Sequence, residues 1–286
     1  MNARCLLPML KRAAGRLFHD NGFDIAKSAA YSSVLSFFPG LMVLASLLFR
    51  QNISAVVDEI SLALDRVLPP EAYQVAARFL AAQGIRTKGI LAGAWVVAIW
   101  SGSNVVISLM EGFRAAYRIP TARSFLKARA VAIALLLMAG TPLIAATLLL
   151  FFGQQIENWL AAHLGEVSWL VAPAGQVLRW MIALTTSAVV IGELYHVGPN
   201  RPQKWRFIWP GAVLATALWV AATLLFASYV QHVARYTDLY GSISAAVVLL
   251  IWMYIVNLIV IFGCEFNVEY EKVATEPQRR EERSGL

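Results

Sequence analysis

The chain has 286 residues, of which 59% are hydrophobic and only 14% are charged, and its mean hydropathy is +0.62. Soluble domains carry about 25% charged residues, so this composition excludes an ordinary soluble fold, which could not bury so much apolar surface. In a soluble chain the net charge of +7 would suggest nucleic acid as a partner. In a membrane protein it is explained by basic loops that face anionic lipid headgroups, and we expect no nucleic acid.

Residues 1–27 precede the first long apolar segment and form the first region of the chain. Their apolar residues come in short pieces, interrupted by Arg4, Lys11, Arg12 and Arg16. A cleavable signal peptide needs a continuous apolar core, which is missing here. We therefore predict a cytoplasmic amphipathic segment that lies at the membrane surface.

Six later segments approach or exceed the roughly 20 apolar residues that a helix needs to cross a bilayer. We predict that residues 28–272 form a single all-α domain, a bundle of six transmembrane helices. Pro39 and Pro142 fall within the first and third spans, where a proline frees a carbonyl and kinks the helix. Such kinks occur in rigid helical bundles as well as in bundles that move, so they do not by themselves indicate movement. The predicted spans are 28–49, 89–110, 130–152, 176–195, 207–230 and 242–266.

The distribution of charge predicts the orientation of the chain in the membrane. Most of the 24 Lys and Arg residues face the cytoplasm if the N-terminus is inside, which indicates that both termini are cytoplasmic. The first external loop, 50–88, has apolar residues at helical spacing and is predicted to form amphipathic helices. Residues 273–286 are highly charged and lack aromatic residues, so we predict a disordered cytoplasmic tail.

The sequence contains no recognisable catalytic or metal-binding motif. The predicted topology divides the four histidines between the two faces of the membrane, and the two cysteines lie far apart. Walker loops, GxSxG and HExxH motifs, and paired CxxC motifs are missing from the sequence. We therefore predict no metal site, no cofactor and no enzymatic activity.

Three glutamates fall toward the cytoplasmic ends of the second, fourth and sixth spans: Glu111, Glu193 and Glu265. These helices end on the cytoplasmic side, where the helix dipole disfavours an unpaired anion by up to about 1 kcal/mol. Each glutamate should therefore have a basic partner, and Arg114 follows Glu111 by three residues. One interpretation is ordinary pairing of side chains at the interface. The other is an inward gate, a proton-coupled site or a headgroup-binding site. Under this second interpretation we expect Glu193 and Glu265 to contribute to one polar cavity that faces the cytoplasm.

Asn104 and Asn257 lie deeper in the second and sixth spans, among apolar residues. An amide at this depth needs a partner on another helix, and such a hydrogen bond contributes roughly 0.6 to 2 kcal/mol. Both residues are therefore candidates for contacts between helices, with a role in lining a transport pathway as the alternative.

Four strings, taken in order, resemble the YihY/BrkB family of bacterial inner-membrane proteins. They are AAYSSVLSFFPGLMVLASLL, WSGSNVVISLMEGFRAAYRI, LYHVGPN followed by WPGAVLATALW, and YGSISAAVVLLIWMYIVNLIVIFGCEFN. The resemblance implies a multi-pass protein of six helices in the inner membrane. Members of the family have been labelled ribonuclease BN or linked to virulence and serum resistance, and transport of lipids or lipid A precursors has been proposed for them.

Two functions of different classes are compatible with these observations. In the first, the protein moves phospholipids or other amphiphiles between leaflets, and its cytoplasmic Lys and Arg side chains attract anionic headgroups. Such transport is passive or gradient-driven, because the chain has no nucleotide-binding motif. In the second, the protein is a non-transporting envelope scaffold linked to virulence or serum resistance. A transporter or a scaffold of this kind could assemble as a homo-oligomer. A ribonuclease is disfavoured, because the sequence lacks the metal ligands of a nuclease site.

Overall fold

The computed structural model describes residues 3–49, 88–163, 168–232 and 244–284. These ranges contain seven α-helices and no strand. The helices are α1 (Ala3–His19), α2 (Gly22–Phe49), α3 (Lys88–Ala116), α4 (Phe125–His163), α5 (Ser168–Val197), α6 (Trp205–His232) and α7 (Ser244–Ser284). The predicted amphipathic helices of the first loop fall at 50–87, outside the described residues.

The structure confirms an all-α membrane protein. The first five predicted spans lie each within one helix, from α2 to α6 in chain order, and the described part of the sixth, 244–266, lies within α7. Five of these helices, α3 to α7, are long and apolar enough to cross a membrane. Helix α2 does not meet these criteria over its described residues. The count of six spans, and the cytoplasmic location of both termini, therefore stay predictions. Pro39 and Pro142 lie inside the continuous helices α2 and α4, and the kinks expected there also stay predictions.

A short break at Asn21 separates the N-terminal helix α1 from α2. Asn21 has a φ of 56°, a left-handed conformation that asparagine tolerates better than most residues. Its carbonyl accepts hydrogen bonds from the N–H groups of Asp24 and Ile25, at 3.1 Å each, and so begins α2. On the other side of the break, α1 buries Met9 and Ala13 against Phe266 of α7. One face of α1 is therefore part of the bundle.

The C-terminal segment differs from its prediction. Helix α7 continues through Ser284, where the sequence predicted disorder after residue 272. This segment contains three Glu and three Arg, which are strong helix formers, although it also contains Pro277, which disfavours a helix. It also extends a helix that already exists, so it avoids the cost of nucleation. Charge and missing aromatic residues were therefore insufficient to predict disorder here.

The core lies where α3, α5, α6 and α7 meet. Phe113 and Tyr195 are fully buried, and their rings pack edge to face with centroids 5.3 Å apart. The Tyr195 hydroxyl donates a hydrogen bond to the carbonyl of Val260 at 2.6 Å, so its polar end is satisfied inside an apolar environment. Tyr195 therefore joins α5 to α7.

Helices α6 and α7 approach each other closely at Gly211 and Gly263. A Cβ atom on Gly211 would overlap the carbonyl oxygen of Gly263, so only glycine fits. Pro210 has no N–H and interrupts the hydrogen bonds of α6 at this point. The fully buried Asn267 bonds to the backbone here: its Oδ1 accepts from the Gly211 N–H at 2.6 Å, and its Nδ2 donates to the Ile208 carbonyl at 3.0 Å. These contacts hold α6 and α7 together.

Several helix ends come together at one end of the bundle, which we call the charged end. Arg123, just before α4, donates from Nη1 and Nη2 to the carbonyls of Gly198 and Val197, at 2.8 Å each, and so caps the C-terminus of α5. Burial lowers the pKa of this guanidinium. Arg16 of α1 donates a hydrogen bond to the Ala116 carbonyl at the end of α3. Arg201, in the loop before α6, pairs with Glu271 of α7. The charged end is defined by Arg16, Ala116, Arg123, Gly198, Arg201 and Glu271.

Candidate functional site

The charged end is organised around Arg16 of α1. Its Nε donates to Oε2 of Glu265 at 2.7 Å, and its Nη1 lies 3.3 Å from Oε1 of Glu269. Its Nη2 lies 3.4 Å from Oδ2 of Asp20 and also donates to the carbonyl of Ala116. One guanidinium therefore joins α1 to the end of α3 and to the middle of α7. We call Arg16, Asp20, Glu265 and Glu269 the Arg16 cluster.

The Arg16 cluster is buried, and its two glutamates differ in the number of cations that each one contacts. The side chain of Glu265 is 1% exposed and that of Arg16 is 11% exposed. Glu269 has a second cation, since Lys272 Nζ lies 2.7 Å from its Oε1, whereas the only cation bonded to Glu265 in the described part of the chain is Arg16. Burial by itself would lower the pKa of Arg16. The hydrogen bond and charge of Glu265, with the carboxylates of Asp20 and Glu269, outweigh burial and raise it.

The C-terminus of α3 exposes the Ala116 carbonyl, to which Arg16 donates a hydrogen bond. Arg118 has a φ of 52°, the left-handed conformation that often terminates helices. The N–H of Ile119 returns to the carbonyl of Arg114 at 3.0 Å, which closes the last turn. The Ala116 carbonyl lies in this last turn, where carbonyls lack partners within the helix. The guanidinium of Arg16 supplies one and stabilises the negative end of the helix dipole.

Beside the Arg16 cluster lies an open cavity of about 510 Å³, which we call the basic cavity. Five basic side chains line it against two carboxylates, so its charge is predominantly positive. It is formed by α1, the end of α3, the loop between α5 and α6, and residues 268–275 of α7. Its charged lining residues are Arg12, Arg16, Arg118, Arg201, Lys272, Glu269 and Glu271.

One wall of the basic cavity is built around Tyr117. The guanidinium of Arg201 lies over the Tyr117 ring, 5.0 Å from its centroid, and also pairs with Glu271. Burial raises the pKa of Tyr117 well above its ordinary value, so the phenol stays neutral and donates a hydrogen bond to Gln203 Oε1 at 3.2 Å. This wall can therefore hold Arg201 in place while leaving its side chain 38% exposed.

Of the three predicted glutamates, the structure places Glu265 in a strongly coupled site. Its basic partner is Arg16, which the sequence did not indicate as a partner of Glu265. Arg16 lies beside Ala13 and Leu17, which are buried on the inner face of α1. A basic residue on the apolar face of an amphipathic helix is the signal that indicates a buried acidic partner.

Glu111 and Arg114 line a second, smaller cavity of about 100 Å³ together with Arg123. Glu111 is exposed and Arg114 is half-buried. The described residues include no ion pair between them, although their spacing permits one. The predicted pairing of Glu111 is therefore not seen.

Glu193 lies apart from the Arg16 cluster. It is half-buried on α5 and does not line the basic cavity. Residues two apart on a helix point in nearly opposite directions, and Tyr195 points into the core. Glu193 is thereby directed away from Glu265, and the structure does not bring these two glutamates into one cavity.

Asn104 and Asn257 each contact a second helix. Asn104 Oδ1 accepts a hydrogen bond from Arg129 of α4 at 2.7 Å. Asn257 Nδ2 donates to Ser33 of α2 at 3.2 Å and to the carbonyl of Met253 at 2.7 Å. These contacts match the interpretation that both amides join helices, and their function in transport stays a prediction. Within the described ranges, no group of three or more His, Cys, Asp or Glu residues is placed to hold a metal ion.

Long apolar helices that end in a buried charge cluster define an integral membrane protein with a helical bundle. The chain belongs to the BrkB family, whose model, described as virulence factor BrkB, matches residues 13–285. It is 30% identical to YfkH of Bacillus subtilis, named as ribonuclease-like, over 93% of this chain and 96% of that protein.

Two further relatives are named UPF0761 membrane proteins. That of Tolumonas auensis is 26% identical over 88% of this chain and 82% of the relative. One from Vibrio vulnificus is 26% identical over 92% of this chain and 82% of the relative. No solved structure matches the chain.

Proposed function

We propose that this protein is a passive or gradient-driven transporter in the bacterial inner membrane, which moves lipids or other amphiphiles with anionic headgroups between leaflets. Phospholipids and lipid A precursors are substrates of this class. The observation that carries the proposal is the basic cavity: an open, positively charged space at the end of a bundle of apolar helices.

The charge of the basic cavity suits a phosphate-bearing headgroup. Arg12 and Arg118 are exposed, and Arg12 makes no ion pair within the described residues, while Arg118 lies only at the limit of contact with Asp20, at 4.0 Å. Their guanidinium groups can therefore donate hydrogen bonds to phosphate oxygens in two-point geometry. Arg201, held over Tyr117, adds a third donor with a defined position.

The basic cavity also connects to charge inside the bundle. Arg16 lines the cavity and bonds directly to Glu265, which lies within the apolar part of α7. An anionic headgroup in the cavity would compete with the carboxylates for Arg16 and so weaken the contact between α1 and α7. Ligand binding at the charged end can in this way alter the packing of a membrane-spanning helix, which is what a transporter requires.

The test is leaflet exchange in liposomes that contain the purified full-length chain. A fluorescent phosphatidylglycerol is incorporated, and its loss of signal on addition of the membrane-impermeant reductant dithionite reports the rate of exchange. We expect faster exchange than in protein-free liposomes. In the double variant Arg12→Gln/Arg118→Gln exchange should slow several-fold, because the cavity loses two exposed cations while Arg16, Glu265 and Glu269 keep their contacts.

The matched control is Lys11→Gln/Lys127→Gln, which removes two exposed basic residues that do not line the cavity. Exchange in this control should equal that of the wild type. If the wild type exchanges lipid no faster than empty liposomes, the protein is not a lipid transporter. If the two double variants slow exchange equally, general attraction of anionic lipid explains the effect and the cavity does not.

A non-transporting scaffold is the second candidate, and one observation favours it. Glycines without room for a Cβ hold α6 and α7 together at Gly211 and Gly263, and such tight packing resists movement. The liposome experiment separates the two candidates, since a scaffold leaves exchange at the protein-free rate. The proposal assigns no ribonuclease activity, although the name of YfkH calls that relative ribonuclease-like.

A further inference from the structure

Arg129 is a cation within a membrane-spanning helix. It lies in α4, four residues after Phe125, where the apolar span of this helix begins. With a rise of 1.5 Å per residue, its Cα is about 6 Å along the helix from the start of the span. A cation at this depth needs a partner, and its partners identify what it does.

The protein supplies Arg129 with neutral partners. Its Nη1 donates to Ser103 Oγ at 2.6 Å and to Asn104 Oδ1 at 2.7 Å. Its Nε is buried and has no hydrogen-bond partner among the described residues. No carboxylate within the described part of the chain forms an ion pair with it. The guanidinium is therefore held in position, but its charge is not balanced.

The surroundings of Arg129 face the lipid. Its guanidinium lies over the Trp100 ring, 4.2 Å from the centroid, and within 5.8 Å of the centroid of Phe125. Trp100 is 55% exposed, Leu126 is 78% exposed, and Val96, one turn before Trp100, is also exposed. On helices that cross a membrane, such exposed apolar side chains contact acyl chains.

We propose that Arg129 binds the phosphate of a phospholipid in the leaflet at the charged end, in a groove between α3 and α4. Ser103 and Asn104 orient the guanidinium from the protein side, and an acyl chain of the bound lipid packs on Trp100. The occupant is a membrane lipid because a soluble anion would have to leave water to reach a cation flanked by lipid-facing aromatic rings. The phosphate supplies the missing counter-charge through charge-assisted hydrogen bonds.

This site is separate from the basic cavity, and it does not depend on transport. None of Trp100, Ser103, Asn104 and Arg129 lines that cavity. A protein that moves no lipid can still hold one at Arg129. Failure of the liposome exchange experiment would therefore leave this inference standing, and the reverse also holds.

Trp100 provides a local readout of lipid binding. The delipidated full-length chain in detergent is titrated with phosphatidylglycerol brominated on its acyl chains, which quenches nearby tryptophan fluorescence. The chain has 9 tryptophans, so the signal of Trp100 is obtained as the difference between the wild type and Trp100→Phe. Brominated diacylglycerol, which lacks phosphate, and inorganic phosphate without lipid are the comparison ligands.

We expect the Trp100 signal to be quenched at a concentration of brominated phosphatidylglycerol about tenfold lower than that of brominated diacylglycerol. Arg129→Gln should remove this difference, and Arg129→Lys, which keeps a cation, should retain most of it. The matched control Lys127→Gln, an exposed basic residue two positions away, should behave as the wild type.

Equal quenching by the two brominated lipids in the wild type would overturn the inference, and this comparison needs no variant of Arg129. It would also be overturned if Arg129→Gln bound phosphatidylglycerol as the wild type does. Displacement of the brominated phospholipid by millimolar inorganic phosphate would show that the site takes a free anion rather than a lipid.

Discussion

Replacing Arg16 with alanine removes the guanidinium that joins α1 to α7. Glu265, which is 1% exposed in the intact protein, loses the cation 2.7 Å from its Oε2. Glu269 keeps its ion pair with Lys272 at 2.7 Å, so it loses only one of its two cations. The main cost of the substitution is therefore a single uncompensated carboxylate at Glu265, together with an unpaired carbonyl at Ala116.

Removing one partner of a buried ion pair costs about 3 to 5 kcal/mol. The basic cavity lies beside Arg16 and admits water, so we expect the lower end of this range, about 3 kcal/mol. For domains of 150–250 residues, each kcal/mol lowers the melting temperature by roughly 2 to 4 °C. On this scale Arg16→Ala should lower the melting temperature of the protein in detergent by about 6 to 12 °C. Because α1 is held to α7 by this pair, amide hydrogen exchange in α1 should also become faster.

The control is Arg12→Ala, which removes an exposed arginine from the same helix and the same cavity. Its effect on stability should stay within about 0.5 kcal/mol. In Arg16→Ala/Glu265→Gln the uncompensated charge is gone, so this double variant should be more stable than Arg16→Ala alone. Equal stability of Arg16→Ala and Arg12→Ala, with unchanged exchange in α1, would refute this reasoning.

Three further substitutions test the packing of the bundle and the end of α3. Asn267→Leu leaves two backbone groups of α6 without partners and should destabilise the protein by about 2 to 4 kcal/mol in denaturant titrations; the exposed Asn200→Ala should have little effect. Gly211→Ala should lower the melting temperature, whereas Gly140→Ala, with nothing within 4 Å of its new Cβ, should gain up to about 1 kcal/mol from helix propensity. Arg118→Gly should raise the melting temperature, since it relieves a left-handed backbone by about 1 kcal/mol, while slowing any exchange of anionic lipid.

The positions of the membrane helices could be predicted because their cause is local. A helix that crosses a bilayer needs about 20 apolar residues, and the described part of each such segment lies in one helix. The end of α7 shows the limit of this reasoning. Its charged residues also favour a helix once the preceding apolar turns have formed, so composition alone does not determine where the helix stops.

The site could be predicted only in part, because pairing depends on how each helix is rotated. Glu193 and Glu265 look alike in the sequence, as single acids near the ends of apolar segments. In the structure Glu265 faces Arg16, and Glu193 is turned away from it. The sequence around each glutamate does not show which of them has a basic partner, since Arg16 and Glu265 are 249 residues apart.

The sequence by itself determined that this is a helical membrane protein, where its helices lie and which end collects the charge. These properties follow from apolar length and from the distribution of Lys and Arg, which act residue by residue. Only the tertiary structure decided that Arg16 pairs with Glu265, that the surrounding helix ends enclose a basic cavity, and that Arg129 bonds to neutral side chains. Such contacts depend on the rotation and close approach of helices far apart in the chain, which no single segment specifies.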